Sequence, residues 1–391
     1  MYLFSKDKNE CSGCSACKSI CPRNCIEMID DEYGFKYPVV NGSNCINCHL
    51  CEKICPIVNC TKKEQKNICY YGWHKNEDIR LNSTSGAAFV GISELCFSNG
   101  YKCIYGATFN KKRVYHTCIT DIASIKTLSG SKYVQSNMDS VFNDIVKKLK
   151  NDEKIVFVGT PCQVDGLERI VEKKYRNNLL LIALVCHGVA SPGIFEKYLA
   201  EIEKKNGANV KNIRFRDKRY QNNELSHRFT TIYFDNNSEI STTDNLYTLM
   251  FGLGTITRDS CFKCPYTSPS GAGDITIGDF WGIENYDSNL KNEISKGISL
   301  IIPHTKLGEA ICNGLNEYMY LNKVDLDYAV NNHQKQLSTP ITCALDRESF
   351  LSKVMLKNHS FQRCAINAKA SWELQGYKNA IYRRIKRIIG K

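Results

Sequence analysis

The sequence predicts a small cysteine-rich α+β domain over residues 1–62, followed by a larger α/β domain with a mixed sheet over residues 68–330. The first prediction rests on the cysteines crowded into the first 60 residues. The second rests on strand-like and helix-like runs that alternate from residue 69 onward, which is typical of an α/β sheet. Residues 213–241 alternate with a period of two around a polar turn, which adds antiparallel strands. Residues 331–391 are predicted to form a helical C-terminal extension.

The cysteines of the first domain form two runs with the same spacing, C-x2-C-x2-C-x3-C-P, which start at Cys11 and at Cys45. This is the spacing of bacterial two-cluster ferredoxins, in which the fourth cysteine of each run binds the cluster of the other run. A disulfide knot or a pair of zinc sites fits less well, because structural zinc takes spaced pairs of ligands. We therefore predict two 4Fe-4S clusters. The predicted ligands are Cys11, Cys14, Cys17 and Cys55 for one cluster, and Cys45, Cys48, Cys51 and Cys21 for the other.

Composition restricts the compartment and the class of partner. The chain has 391 residues and 21 cysteines, and its first ten residues contain no apolar run typical of a signal peptide. No stretch is apolar over the length that a membrane span needs. Reduced, metal-bound thiols are therefore expected, and we predict a cytoplasmic protein of an anaerobe. Cys25 and Cys60 lie outside the ligand spacing and are interpreted as packing residues.

The net charge does not indicate nucleic-acid binding. Its formal value is +12 when every cysteine is counted as neutral. Each 4Fe-4S cluster with four thiolates contributes about −2 to the net charge. The two predicted clusters and a third one in the larger domain would together reduce the total to about +6. No basic and aromatic pattern of a nucleic-acid module is present. We predict no nucleic-acid partner.

The larger domain is predicted from the periodicity of its apolar residues. Short continuous apolar runs indicate buried parallel strands, and a spacing of three and four indicates helices. Residues 61–67 are charged and are the predicted linker to this domain. The predicted strands are 69–74, 102–109, 154–159, 179–185, 274–279 and 298–303, and the predicted helices are 86–97, 138–149, 161–175, one that starts at residue 192, and 245–256.

Four cysteines of the larger domain stand where an α/β sheet places its functional groups. Cys162 and Cys186 follow two predicted strands, at the edge where sites in such sheets form. Cys261 and Cys264 form a separate C-x2-C pair. Spacing alone leaves two interpretations open. The four thiols hold a third 4Fe-4S cluster, or the pair is a redox dithiol or half of a zinc site and the other two are packing residues.

Several clusters would conduct single electrons, and flavin is the usual cofactor that joins one-electron to two-electron chemistry. The sequence has no G-x-G-x-x-G fingerprint. Two Ser/Gly loops, at residues 82–87 and 129–133, offer backbone N–H groups to a pyrophosphate, and Lys132 adds a positive charge. Ordinary helix caps have the same composition, so the loops alone do not decide between these interpretations.

Sequence blocks in a fixed order make the chain resemble the coenzyme F420 hydrogenase/dehydrogenase beta-subunit family, in the form with an N-terminal two-cluster ferredoxin domain. The resemblance extends to about residue 320. Its blocks are Ser85-Gly86, Gly130-Ser131-Lys132-Tyr133, Gly159-Thr160-Pro161-Cys162-Gln163, Cys186-His187-Gly188, Phe215-Arg216-Asp217-Lys218, Cys261-x2-Cys264 and Gly273-Asp274 through Gly278-Asp279-Phe280-Trp281-Gly282.

The family resemblance implies FAD, hydride transfer at the flavin, and a 4Fe-4S cluster in the large domain. It implies that the ligands of this cluster are Cys162, Cys186, Cys261 and Cys264. It favours flavin contacts at Ser85, Gly86, Gly130, Ser131, Lys132, Tyr133, Gly159, Thr160 and Pro161. The chain departs from the family at Ala87, which replaces a second glycine, and just before Gly273, where an expected arginine is absent. The missing arginine weakens the carry-over of deazaflavin binding from the family.

We therefore predict an iron–sulfur, flavin-dependent oxidoreductase. It would pass electrons between ferredoxin-type clusters and FAD and exchange a hydride with a soluble organic substrate, and the resemblance suggests surface-polysaccharide metabolism. The expected partners are a redox protein such as ferredoxin and the small-molecule substrate. The alternatives are an F420-dependent dehydrogenase and a non-catalytic electron-transfer subunit of a larger complex.

Two further features carry open alternatives. His187, next to a predicted ligand, is the candidate catalytic proton donor, and otherwise supports the cluster ligands by hydrogen bonding. The C-terminal residues 377–389 have isoleucines on one helical face and basic residues on the other. This tail either contacts an anionic membrane surface or docks on the protein with its basic face in water.

Overall fold

The computed structural model describes residues 1–60, 63, 67–110, 112–330, 333–343 and 345–389, with side chains as far as residue 378. The strands are β1 (Ile26–Asp30), β2 (Lys36–Val40), β3 (Ile68–His74), β4 (Cys103–Asn110), β5 (Arg113–Ile119), β6 (Ile155–Gly159), β7 (Leu179–Leu184), β8 (Val210–Gln221), β9 (Glu224–Phe234), β10 (Glu239–Thr242), β11 (Ile275–Asp279), β12 (Ser299–Pro303) and β13 (Met319–Asp325).

Helices cover both faces of the sheet and both ends of the chain. The α-helices are α1 (Tyr2–Ser5), α2 (Ala16–Ile20), α3 (Leu50–Lys53), α4 (Glu77–Asn82), α5 (Ala88–Ser98), α6 (Val141–Lys150), α7 (Pro161–Ile170), α8 (Pro192–Asn206), α9 (Leu246–Gly252), α10 (Lys306–Gly314), α11 (Leu326–Ala329), α12 (Arg347–Leu351) and α13 (Phe361–Ile389). The short 3-10 helices are Lys8–Glu10, Gly42–Asn44, Ile122–Thr127, Lys173–Asn178, Asp259–Lys263, Ile283–Asn285, Ser288–Glu293, Leu315–Glu317 and Lys335–Leu337, and Ser352–Leu356 is a π-helical turn.

An eight-stranded mixed sheet forms the centre of the molecule, in the order β13-β3-β12-β11-β7-β6-β4-β5. The four strands β11, β7, β6 and β4 are mutually parallel, and the strands outside them are antiparallel to their neighbours. β6 is buried along its whole length, which explains the unbroken apolar run in its sequence. The mixed sheet matches the predicted fold class, although β5 and β13 were not predicted.

Two predicted helices are shorter than their sequence patterns suggested. The helix predicted for residues 161–175 ends at Ile170, and a 3-10 helix at Lys173–Asn178 leads into β7. The helix predicted for residues 245–256 ends at Gly252. After Gly252 the apolar pattern continues because residues 254–258 of the following loop are also buried, whereas after Ile170 Val171 is still buried but the next residues are exposed.

A separate antiparallel sheet, β10-β9-β8, corresponds to the hairpin region predicted at residues 213–241. The pairing of β8 with β9 shifts between Phe215 and Asp217, and the residue between them, Arg216, has a φ of +57°. Such a bulge turns the side chain of its extra residue away from the regular strand face.

The N-terminal segment packs directly against the large sheet domain. Its β1–β2 hairpin connects the two cysteine runs, as predicted, and the side chain of Asp31 accepts the N–H groups of Tyr33 and Phe35 at 3.0 and 2.9 Å. A Cβ atom at Gly166 of α7 would lie 3.3 Å from the Cys14 Sγ, so the cysteine loop packs closely on this glycine. The predicted domain boundaries stay predictions, and the linker at 61–67 lies outside the described residues except for positions 63 and 67.

The C-terminal helix α13 docks at its beginning through Phe361, Cys364 and Ala365, which join the core formed with α8 and α9. The side chains of most of the predicted basic tail lie outside the described residues. No helix in the part of the chain that the structure describes is long and apolar enough to cross a membrane.

Asp274 joins three elements at the start of β11. Its carboxylate is buried and accepts the Leu181 N–H at 2.8 Å, the Arg176 Nη2 at 2.9 Å and the Thr305 Oγ1 at 2.7 Å. Asp274→Ala should lower the free energy of unfolding by about 3 kcal/mol, because it leaves the positive charge of Arg176 without this partner. The measurement is the melting temperature of cluster-loaded protein under anaerobic conditions.

Glu172→Ala is the control for this prediction, since Glu172 forms an exposed ion pair with Lys174 and its loss should leave the melting temperature unchanged. Equal melting temperatures for both variants would contradict the structural role of Asp274.

Candidate functional site

The four thiols predicted to hold the first cluster lie together under the protein surface. Cys14, Cys17 and Cys55 are buried and Cys11 is half-buried. Burial raises the pKa of Cys17 well above its ordinary value, and the charges of Cys14, Cys11 and Cys55 raise it further. Thiols in this state are neutral unless a cation binds them, and ligation by iron supplies that positive charge.

The thiols predicted to hold the second cluster lie nearer to the solvent. Burial raises the pKa of Cys51, and the charges of Cys48 and Cys21 add to this effect. Cys48 itself is exposed, and Ile46 beside it is 59% exposed. Cys25, which was interpreted as a packing residue, has its Sγ 3.4 Å from the Sγ of Cys21 and so borders this group.

The four cysteines of the large domain converge on one cavity of about 450 Å³, which we call the thiol cavity. Burial raises the pKa of Cys186 strongly, and the charges of Cys261, Cys162 and Cys264 raise it further. Burial likewise raises the pKa of Cys264 to about 12, with contributions from Cys162 and Cys261. The strand ends after β6 and β7 therefore bring Cys162 and Cys186 to the C-x2-C pair.

These thiols fit a cluster better than a single ion. Among the described residues, no three His, Cys, Asp or Glu side chains converge closely enough to hold one metal ion. A 4Fe-4S cluster binds four thiolates, one on each of four irons, so its ligands surround a larger centre. The side chain of Thr160 lies next to one of the thiols, with its Oγ1 3.2 Å from the Cys162 Sγ.

A second cavity, of about 470 Å³, opens beside the thiol cavity, and we call it the loop cavity. Its volume lies in the range of small-molecule and cofactor sites. The predicted flavin contacts that line it are Ser85, Gly130, Ser131, Lys132, Tyr133, Gly159 and Thr160.

Two predicted flavin contacts, Gly86 and Pro161, are not among the residues that line the loop cavity. Gly86 is packed behind it, since its N–H donates to the Ser299 Oγ at 2.9 Å and a Cβ atom would meet the Ser299 N at 2.8 Å. Pro161 occupies the first position of α7 and lines the thiol cavity.

Lys132 lies in the wall of the loop cavity, and no carboxylate of the described residues is bonded to it. Its Nζ donates to the carbonyl oxygens of Leu128 and Ser129, both at 2.7 Å. Burial lowers the pKa of this ammonium to about 7. Because an ammonium has three N–H donors, one remains for an anionic or carbonyl oxygen of a ligand.

His116 lines the same cavity and was not predicted from the sequence. Its Nε2–H donates to the carbonyl oxygen of Val158 at 3.0 Å, so its Nδ1 is an acceptor. This Nδ1 is buried and has no hydrogen-bond partner within the described structure. Burial lowers the pKa of His116 to about 4, so the ring is neutral at physiological pH. A buried acceptor without a partner in a cavity wall is suited to a ligand that donates a hydrogen bond.

An ion pair and an indole ring form another wall of the loop cavity. Arg216, turned by the bulge in β8, pairs with Asp279 at the end of β11. Its guanidinium lies 4.8 Å from the centroid of the Trp281 ring. Both Arg216 and Trp281 stand in the sequence blocks noted above, but neither was predicted as a site residue.

The two cavities share part of their walls. Both are lined by Thr160 and by the segment after β7 that contains Cys186 and His187. The His187 Nε2 donates to the Gly252 carbonyl oxygen at 3.3 Å, and the Gln336 Nε2 donates to its Nδ1 at 3.4 Å. Burial lowers the pKa of His187. The side chain of His187 would therefore contact a group bound in either cavity.

Two family models match the chain. A model described as the C-terminal part of the beta subunit of coenzyme F420 hydrogenase/dehydrogenase matches residues 152–328, and a 4Fe-4S dicluster domain model matches residues 10–59.

Individual relatives match parts of the chain. The F subunit of the F420H2 dehydrogenase of Methanosarcina mazei is 25% identical over 225 residues, which are 52% of this chain and 61% of that protein. A polyferredoxin-like protein of Methanocaldococcus jannaschii is 34% identical over 55 residues, which are 12% of this chain and 33% of that protein. The chain thus spans about three fifths of the first relative and one third of the second. A chain from a xenon-derivatized F420-reducing NiFe hydrogenase complex of Methanosarcina barkeri aligns with a TM-score of 0.47 and 13% identity, over 71% of this chain and 92% of that chain.

The dicluster domain and the thiols beside it define the chain as an iron–sulfur redox protein. Residues 152–328 carry the C-terminal domain of the coenzyme F420 hydrogenase/dehydrogenase beta subunit, and residues 10–59 carry a 4Fe-4S dicluster domain. This confirms the family predicted from the sequence blocks.

The buried N-terminal thiols give a direct prediction about iron content. Cys17→Ala should remove about four irons per chain from anaerobically purified protein, because one cluster loses a ligand. The control is Cys96→Ala in α5, since Cys96 is fully buried and lies outside all three thiol groups. Unchanged iron and sulfide in Cys17→Ala would contradict the ligand assignment.

Proposed function

We propose that the chain is an iron–sulfur, flavin-dependent oxidoreductase. It passes electrons between 4Fe-4S clusters and FAD and exchanges a hydride with a soluble organic substrate. The observation that carries the proposal is the wall shared by the thiol cavity and the loop cavity, because it would bring a cluster next to a cofactor. Single electrons from a cluster in the thiol cavity would then reach a flavin in the loop cavity, which carries out two-electron chemistry.

Cys162, Cys186, Cys261 and Cys264 are proposed as the ligands of a third cluster. Their support is their common cavity and the effect of each thiolate charge on the others. The eight N-terminal cysteines keep the ligand roles predicted from their spacing.

The burial of the thiol groups suggests the order in which electrons travel. The group with the exposed Cys48 would exchange electrons with a partner, and the buried group around Cys14 would accept them next. Cys14 lies close enough to Cys162 for the charge of Cys162 to raise the pKa of Cys14. We propose that a redox protein such as ferredoxin, or another subunit of a complex, docks at the exposed cysteines.

The loop cavity is proposed to hold FAD. When bound, FAD supplies the conversion between single electrons and a hydride. The backbone N–H groups of the loop at residues 130–131 would bind phosphate oxygens, and the third N–H of Lys132 would donate to a further oxygen of the cofactor. The Nδ1 of His116 would accept a hydrogen bond from a donor group of the flavin.

The substrate is proposed to enter beside Arg216, Asp279 and Trp281. His187 is the proposed catalytic residue, because it lines both cavities and its ring can hold a proton close to the reacting atoms. The proposed setting is cytoplasmic, and surface-polysaccharide metabolism stays part of the proposal through the family resemblance alone.

A second candidate function is electron transfer without a small-molecule substrate of its own. It is favoured by the relative from Methanosarcina mazei, which is named as a subunit of a dehydrogenase. In that case the flavin would be reduced, but no small molecule would be turned over without a partner chain. An F420-dependent dehydrogenase is the other alternative, and oxidation of reduced F420 by the isolated chain would identify it.

The test is the content of iron, acid-labile sulfide and flavin per anaerobically purified chain. We expect about twelve irons and one FAD, because each of three clusters holds four irons. Cys261→Ala should lower the iron to about eight, whereas Cys312→Ala, a buried cysteine of α10, should not change it. About eight irons in the unmodified chain would refute the third cluster, and the absence of flavin would refute hydride transfer.

His116→Phe gives a separate prediction for the loop cavity. The substitution keeps a ring of similar size but removes the buried acceptor, so FAD should bind about tenfold more weakly, as expected for the loss of one buried hydrogen bond. Titration of the flavin-free protein with FAD, followed by flavin fluorescence, measures this change.

Tyr115→Phe is the matched control, because neighbouring residues of a strand point to opposite faces and Tyr115 bonds outside the cavity, to Asn110. Equal FAD affinity in both variants would contradict the role of His116.

A further inference from the structure

Arg258 is completely buried where the N-terminal domain meets the large domain. Its guanidinium donates from Nε to the Cys11 carbonyl oxygen at 2.7 Å, from Nη1 to the Gln135 Oε1 at 2.9 Å, and from Nη2 to the Lys36 carbonyl oxygen at 3.0 Å. All three acceptors are neutral. The hydrogen bonds fix the side chain, but they do not balance its charge.

Other buried arginines of the chain are compensated by carboxylates. Arg80 pairs with Glu293 at 2.5 Å, and Arg347 pairs with Asp259 at 3.1 Å. No ion pair between described residues includes Arg258. The ring of Tyr37 lies 4.1 Å from its guanidinium carbon, but a cation–π contact offsets only part of the cost of burying a full charge.

The groups whose negative charge would raise the pKa of Arg258 are the thiol of Cys11, the phenol of Tyr37 and the thiol of Cys261. Cys11 belongs to the buried N-terminal group, and Cys261 belongs to the thiol cavity. Arg258 contacts both groups, since its Nε donates to the Cys11 carbonyl oxygen at 2.7 Å and its own carbonyl oxygen accepts the Cys261 N–H at 3.1 Å.

The cysteine loop of the first run is shaped to approach this arginine. Gly13 has a φ of +70°, and a Cβ atom there would lie 3.0 Å from the Arg258 Nη1. Gln135 connects the same parts, since it accepts from Arg258 and donates to the Ser12 carbonyl oxygen at 3.0 Å. Ser12 and Gln135 both line the thiol cavity. The guanidinium of Arg258 therefore lies at the centre of the contact between the first cysteine loop and the wall of the thiol cavity.

We infer that Arg258 is a positioning residue that serves as the shared counter-ion of the buried N-terminal cluster and the cluster of the thiol cavity. Each cluster with four thiolates carries about two negative charges, and reduction adds one more. A fixed positive charge between them favours the reduced form of both and so raises both reduction potentials. For the thiol cavity the inference rests on the proposed third cluster, whereas for the buried N-terminal cluster it rests on the dicluster domain.

The test is a redox titration followed by electron paramagnetic resonance, on the full chain with all its cofactors. In Arg258→Gln the ratio of reduced to oxidised cluster at a given potential should fall on the order of tenfold for the clusters beside it. For a one-electron couple this equals a shift of 59 mV to more negative potential. Arg258→Lys keeps the charge and should shift these clusters clearly less.

Two controls separate the charge effect from a general disturbance. The exposed N-terminal cluster of the same molecule should shift less than the buried one, because it lies farther from Arg258 and closer to solvent. Arg80→Gln removes a buried arginine that is compensated by Glu293, so it should leave all cluster potentials unchanged.

Each outcome decides the inference. Full iron content with unchanged potentials in Arg258→Gln would overturn it, and so would equal shifts of all clusters. If Arg258→Gln loses iron, the Arg258→Lys variant distinguishes the two roles. Retained clusters with nearly normal potentials in Arg258→Lys would support the counter-ion role. Loss of iron in Arg258→Lys as well would show a purely structural role and overturn the inference. A chain with eight irons and no flavin would refute the proposed function, while the buried N-terminal cluster would still test Arg258.

Discussion

The site depends on the parallel strands of the central sheet ending at one edge. β6 and β7 are adjacent and parallel, so the loops that follow them emerge side by side. One loop carries Thr160 and Cys162, and the other carries Cys186 and His187. Because these loops form walls of both cavities, moving either strand end would change the thiol cavity and the loop cavity together. Asp274 fixes the start of β11 to the middle of β7 and so helps to hold these two neighbouring strands in register.

The N-terminal domain depends on that edge as well. Its first cysteine loop packs closely on α7 at Gly166 and lies against Arg258 at Gly13, where a Cβ atom would collide with the Gln135 Nε2. The docking buries one N-terminal thiol group and leaves the other near the surface. An electron carrier needs this asymmetry, because one end must meet a partner and the other must lie close to the next centre.

The sequence predicted the parts of this arrangement that depend on spacing. The doubled cysteine runs gave the dicluster domain, and the strand-end cysteines gave a group that the fold assembles in one cavity. The prediction missed residues whose role depends on contacts between distant segments. His116 sits in an ordinary strand pattern, and only the cavity beside it and its unpartnered Nδ1 distinguish it. Arg258 lies near Cys261 in the chain, but spacing cannot show that it is buried against Cys11 and Lys36, more than two hundred residues away. Gly86 and Pro161 show the converse, since a residue can belong to a sequence block and still lie outside the loop cavity.

The same contacts give a physical meaning to the basic composition of the chain. Its formal charge of +12 counts every cysteine as neutral, which fails once thiolates bind iron. Among the described residues, neither Arg258 nor Lys132 has a carboxylate bonded to it. A buried cation without a carboxylate destabilises a protein unless another anion is present. Cluster thiolates would supply that anion at Arg258, and cofactor phosphates would supply it at Lys132. Part of the positive charge would then compensate bound groups inside the protein, and only the remainder would be available to attract a partner.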